Sequence, residues 1–100
     1  MERRMKAAFA VLYRPGPAWN PSLSFHQQEG IGRHRDFLEA RHQEGSLIFG
    51  GPFLDDSGGL AVYNADSLDD VQVAVASDET VKDGLLRYEI HPYVIAFRSG

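Results

Sequence analysis

Two titratable side chains stand where apolar ones are expected. Residues 31–44 have helical spacing, and at about 100° per residue Ile31, His34, Phe37, Leu38 and Arg41 share one face. An imidazole on that face is amphipathic and titrates near neutrality, so it can serve as general acid or base. The same position also suits a core histidine hydrogen-bonded to backbone. Asp78 continues a second stripe, Leu68, Val71 and Val75. A carboxylate at the end of that stripe can point between helices and sheet, where it would orient an imidazole or hold a proton. Asp78 is also a sound N-cap for residues 79–83, and the two roles are compatible.

Further residues could shape a site around such a pair. Trp19 and Phe25 lie in a long loop and could close over an apolar ring, or simply cover a core edge. Gly50-Gly51-Pro52 lets backbone approach a ligand closely, or marks a bulge before a hairpin. Of the basic residues Arg33, Arg35 and Arg41, Arg41 shares the face of His34 and could bind an anionic group. A solvated or snorkelling side chain is its ordinary alternative. Arg33 faces mostly away.

Other chemistries lack their residues. The chain has no cysteine, hence no thiol nucleophile, disulfide framework or cysteine-based zinc site. His26, His34, His42 and His91 show no paired metal-ligand spacing. No serine sits in a nucleophile elbow. Gly30-Ile31-Gly32 is only a fragment of a dinucleotide fingerprint. No metal or cofactor is expected. The 14 acidic against 10 basic residues give a net charge of −4, which argues against nucleic acid as a partner. No apolar run approaches the ~20 residues that span a bilayer, so no membrane role is expected. Arg3, Arg4 and Lys6 before an apolar run mimic a secretory signal. Arg14-Pro15 ends that run without a small-residue cleavage site, which favours a first strand and a cytoplasmic protein.

A length of 100 residues allows one domain, spanning 1–100. Within it, residues 6–14 alternate as a strand with Phe9, Val11 and Tyr13 on one face and Ala8, Ala10 and Leu12 on the other. Both faces are apolar, so the strand should be central and covered on both sides. A loop runs to Gly30, and Gly45 ends the helix of residues 31–44. A second strand covers 46–53, Asp55 to Gly59 forms a hairpin turn, and a third strand covers 60–65. Ser67 opens a second helix with a capping-box-like Ser67-Leu68-Asp69-Asp70. A turn or helical piece covers 78–84. The last strand covers 85–97, with Pro92 predicting a bulge or an edge position where the apolar phase switches.

The order β-α-β-β-α-β predicts an α+β, ferredoxin-like fold: a four-stranded antiparallel sheet with both helices on one face. The other face, apolar in the first strand, predicts a homodimer packed sheet to sheet, with the last strand reaching across.

The ordered set of motifs resembles the YCII-related (YciI-like) family. The matching stretches are His34-Arg35-Asp36-Phe37-Leu38 and the run from Gly45 to Pro52. The acidic Gly-Gly hairpin at 55–59, the Ser67 helix start, residues 78–85 and Tyr88-Glu89-Ile90-His91-Pro92-Tyr93 follow in order. The chain departs from the family pattern at Glu79, where the family often has Pro, and at Tyr93, where it has Trp. The resemblance implies a dimeric α+β barrel and an active-site pair falling on His34 and Asp78, with Gly51 and Pro52 lining the same cleft. Some relatives are dehydrochlorinases of chlorinated hydroxyquinol-type rings. The wider superfamily includes muconolactone isomerases and cofactor-free monooxygenases.

The leading expectation is a cofactor-independent lyase or isomerase acting on a small cyclic or aromatic-derived metabolite. His34 and Asp78 would transfer the proton; Trp19, Phe25, Arg41, Gly51 and Pro52 would bind substrate. A non-catalytic dimer that binds a metabolite or partner protein is the alternative, and a monooxygenase ranks third.

Overall fold

The computed structural model describes residues 7–99. Arg3, Arg4 and Lys6, the basic residues of the signal-like segment, lie outside the described residues. Four strands form one antiparallel sheet: β1 (Ala7–Pro15), β2 (Leu47–Pro52), β3 (Gly59–Tyr63) and β4 (Leu86–Val94), in the order β2-β3-β1-β4. Helices α1 (Ile31–Gln43), α2 (Leu68–Ala76) and the four-residue α3 (Glu79–Lys82) complete the fold. This is the expected α+β, ferredoxin-like arrangement, with the apolar central strand β1 between β3 and β4.

Register decides which side chains meet the helices. Phe9 pairs with Tyr63, Val11 with Ala61 and Tyr13 with Gly59, so the odd residues of β1 and β3 share a face. That face joins Leu47, Val71, Val75, Leu85 and Leu86 in one core, with Ile31, Leu38 and Val81 packed at its margin. The opposite face carries Ala8, Ala10 and Leu12 beside Leu60 and Val62. Towards β4 it turns polar, where Glu89 accepts hydrogen bonds from Arg14 (2.6 Å) and His91 (2.8 Å).

The last strand differs from expectation. It stops at Val94 rather than Phe97, and its register with β1 is unbroken from Ala7↔Val94 to Pro15↔Leu86. There is no bulge at Pro92. The apolar residues change faces while the backbone keeps its phase, and Pro92 is tolerated because β4 is an edge strand. The bulge lies in β2, between Leu47 and Phe49, just before the paired glycines. Strand β3 ends at Tyr63 instead of Ala65.

The segment between β1 and α1 is more ordered than a plain loop. Phe25–Gln27 forms a 3-10 turn. Gln28, only 3% exposed, staples it. Its Nε2 donates to the carbonyls of Asn20 (2.7 Å) and Leu23 (3.0 Å), and its Oε1 accepts from Asn20 N–H (2.9 Å). Helix α1 then follows its N-cap Gly30, whose φ of 85° is left-handed and natural for glycine. In α2 the Ser67 hydroxyl accepts from Asp70 N–H at 3.1 Å, as its capping signature implies.

One glycine in the β2–β3 hairpin is irreplaceable on geometric grounds. Gly58 has φ 139°, and a Cβ there would sit 1.9 Å from the Tyr13 carbonyl oxygen. Gly58→Ala should therefore lower stability by at least about 1–3 kcal/mol. The check is the urea midpoint; an unchanged midpoint would mean that the hairpin relaxes freely.

Candidate active site

The site begins with the junction of α1 and α3. His34 is the fourth residue of α1, faces the sheet and is 4% exposed; Asp78 immediately precedes α3 and is fully buried. The His34 Nδ1 lies 2.6 Å from Asp78 Oδ2. The other carboxylate oxygen accepts from Thr80 N–H (2.9 Å) and from the Thr80 hydroxyl (2.7 Å). Asp78 thus caps α3 and holds His34 at once. Outside the core, Arg33 reinforces the junction with ion pairs to Asp83 (2.6 Å) and Glu79 (3.5 Å).

The carboxylate's ionisation follows from these partners. Burial alone would raise the Asp78 pKa, but the hydrogen bonds from His34 and Thr80 outweigh it and hold the carboxyl below its ordinary 3.8. Asp78 is an anion across the neutral range, so His34 carries a proton on Nδ1 and donates it to Asp78. Among the described residues Nε2 has no hydrogen-bond partner, yet no buried polar side-chain atom is left unpaired. Nε2 is therefore the nitrogen that meets the neighbouring cavity.

That cavity holds about 600 Å³, within the range of small-molecule pockets. Its walls include Tyr13, Phe25, Leu38, Pro52 and Leu60 around His34, with Gly50, Gly51 and Gly59 along the β2–β3 edge. The Tyr13 ring stands edge-on to His34, with centroids 4.6 Å apart. Its hydroxyl meets that of Tyr63 at 3.1 Å. Burial, with Tyr63 beside it, raises the Tyr13 pKa; burial likewise pushes Tyr63 up to about 12. Neither phenol ionises near neutrality; Tyr13 is a wall of this cavity and Tyr63, outside it, is its hydrogen-bonding partner.

The structure brings together His34, Asp78, Phe25, Gly51 and Pro52. Phe25 is held in place by Asp56, whose carboxylate accepts the Phe25 N–H at 2.9 Å and ties the loop to the hairpin tip. Trp19 stands behind Phe25, ring centroids 5.8 Å apart, and is not part of the cavity wall. Arg41 lies elsewhere. It pairs with Glu44 at 2.8 Å, covers the Phe37 ring at 4.9 Å and lines a second, more open cavity with Tyr63 and Asn64. Sequence reasoning missed Tyr13, His26 and Arg35, which do line the first cavity. For Arg35 the available signal was adjacency to His34; for Tyr13 it was a hydroxyl on the inward face of β1.

The chain belongs to the YCII-related domain family, whose model matches residues 7–94. Among solved structures it is similar to 5-chloro-2-hydroxyhydroquinone dehydrochlorinase (TftG) from Burkholderia phenoliruptrix AC1100, in complex with 2,5-dihydroxybenzoquinone. The TM-score is 0.62 at 21% identity, over 86% of this chain and 92% of that one. No curated protein matches the sequence significantly. The likeness establishes the shared fold. No helix among the described residues is long and apolar enough to cross a membrane.

The depressed Asp78 pKa has a pH signature. A carboxylate whose folded pKa is lowered contributes stability that is complete above its unfolded value, here near 3.8. The contribution is lost as pH falls through the lower folded value. Asp78→Asn should cost about 1–3 kcal/mol at neutral pH. The gap to wild type should close on acidification below 3.8. Urea midpoints across pH measure it; a pH-independent gap would show that Asp78 carries no buried charge.

Proposed function

We propose that the protein is a cofactor-independent lyase or isomerase that moves a proton on a small cyclic or aromatic-derived metabolite. The observation that carries this reading is the buried His34–Asp78 pair, with one ring nitrogen fixed and the other turned to a cavity of ring size. His34 Nε2 takes a proton from the bound substrate. Asp78 keeps the Nδ1 proton in place and stabilises the imidazolium that forms. In an elimination the leaving group departs with its bonding pair and His34 releases the proton to solvent. In an isomerisation His34 returns it to another atom of the same molecule.

The similarity to a dehydrochlorinase makes loss of HCl from a chlorinated hydroquinone-type ring the first reaction to try. There the proton passes to His34 Nε2 and chloride leaves. The apolar walls Tyr13, Phe25 and Leu38 suit a flat ring and limit water beside the imidazole.

The reading includes a cytoplasmic homodimer. A chain without cysteine needs no oxidising compartment. The row Ala8, Ala10, Leu12, Leu60 and Val62 gives a second copy an apolar face to cover. Sedimentation should give twice the chain mass, and Leu12→Glu should give the monomer. A wild-type monomer at micromolar concentration would end the dimer reading.

Catalysis is tested with a panel of halogenated hydroquinones and lactones. His34→Ala should lower turnover by about 10²–10⁴-fold while binding persists. Equal turnover in wild type and variant would sink the assignment. Saturable binding without turnover in either protein would favour the non-catalytic binding module.

A further inference from the structure

The charge on the walls of the His34 cavity is opposite in sign to that of the chain. The protein carries a net −4, yet no Asp or Glu lines this cavity. Its one guanidinium is Arg35, accompanied by the imidazoles of His26 and His34. Among the described residues Arg14, Arg33 and Arg41 each reach a carboxylate, at 2.6, 2.6 and 2.8 Å. Arg35 has no carboxylate partner among them, although Asp36 and Glu39 follow it in the same helix.

The first turn of α1 opens onto the same cavity through Ile31 and Gly32. This thirteen-residue helix begins without the usual anionic or polar compensation: Gly30 provides no side-chain cap, and the first turn has no acidic residue. Among the described residues the Gly32 N–H has no acceptor, and a Cβ at Gly32 would meet nothing within 4 Å. His34 adds an independent observation. It is 4% exposed, and its unpartnered Nε2 is turned to this same space.

We propose that the ligand of this cavity carries an anionic oxygen, an ionised phenol or a carboxylate, received by the first turn of α1 and by Arg35. A helix N-terminus and a guanidinium both favour such a group, and no acid on the cavity wall competes with a ligand for them. Anchoring one end there would orient the ring against the apolar wall and set its reacting atom before His34. The proposal rests on the reading of this cavity as a ring-binding site and narrows the substrates to acidic ones.

The test compares charged probes with neutral counterparts: benzoate with benzamide, and 4-nitrophenolate with its methyl ether, 4-nitroanisole. Binding is followed by calorimetry and by the Gly32 and Arg35 backbone amide resonances. In wild type the charged member of at least one pair should bind about tenfold more tightly and shift both amides. Which pair does so identifies carboxylate or phenolate as the source. Arg35→Gln should remove most of that preference, Arg35→Lys should restore part of it, and His34→Ala should keep it. Equal binding within both pairs, a preference that survives Arg35→Gln, or no binding of any probe at millimolar concentration overturns the proposal. Turnover that depends on His34 without charge preference would overturn this proposal and leave the proton-transfer reading intact. Charge preference with turnover indifferent to His34 would do the reverse.

Discussion

A fully buried carboxylate governs the arrangement of the helices. Taking an unpaired Asp78 out of water would cost several kcal/mol, so the fold must return hydrogen bonds to both of its oxygens. Thr80 supplies two and His34 the third. A four-residue helix such as α3 has no stability of its own. It persists because Asp78 caps it and Val81 packs at the margin of the core. The partner that completes Asp78 is on α1, 44 positions away, so the angle and height of α1 on the sheet are tied to one 2.6 Å bond. Structure and chemistry therefore share a constraint: the group that anchors α1 to α3 also fixes which nitrogen of His34 faces the cavity.

The environment of that pair separates its possible proton carriers. Asp78 is locked as an anion by its donors, and the two tyrosines are locked as phenols by burial. The Nδ1 of His34 is committed to Asp78, which directs any exchange of protons through Nε2 towards the cavity. A water-filled polar cleft would let solvent compete for that nitrogen. The walls are instead mostly hydrocarbon, and the polar side chains among them are the imidazoles, Tyr13 and Arg35.

Much of this was legible in the sequence because it depends on periodicity. Helical spacing put His34 on the inward face of α1, and the Leu68, Val71 and Val75 stripe led directly to Asp78. Strand alternation gave the βαββαβ order and the apolar second face of β1. Arg41 shows where such reasoning fails. Seven residues separate it from His34, so the two share a helical angle, but they lie about 10 Å apart along the axis. Angular phase carries no information about height, and the cavity opens at the N-terminal end of α1. Arg35, some 100° off the stripe but on the same turn, reaches it. At Pro92 the sequence allowed a bulge or an edge position, and the structure has the edge position. An apolar pattern that changes faces resembles a bulge, whereas an edge strand tolerates the missing N–H without one. The Gln28 staple was invisible because a glutamine bonding loop carbonyls has no periodic signature.

The paired glycines acquire their meaning from register. Gly50 opposes Ala61, Gly51 opposes Leu60 and Pro52 opposes Gly59, so the β2–β3 pairing presents one glycine in each of three successive residue rows. At Gly51 a Cβ would meet nothing, whereas at Gly50 it would press on the Leu60 carbonyl at 3.0 Å. One glycine therefore lets the strands approach and the other leaves space for a ligand. Leu60 belongs to the row that faces away from the helices, yet it lines the same cavity as His34. The cavity consequently passes the sheet edge rather than ending at it. The cavity therefore borders both faces of the sheet at its glycine-rich rows.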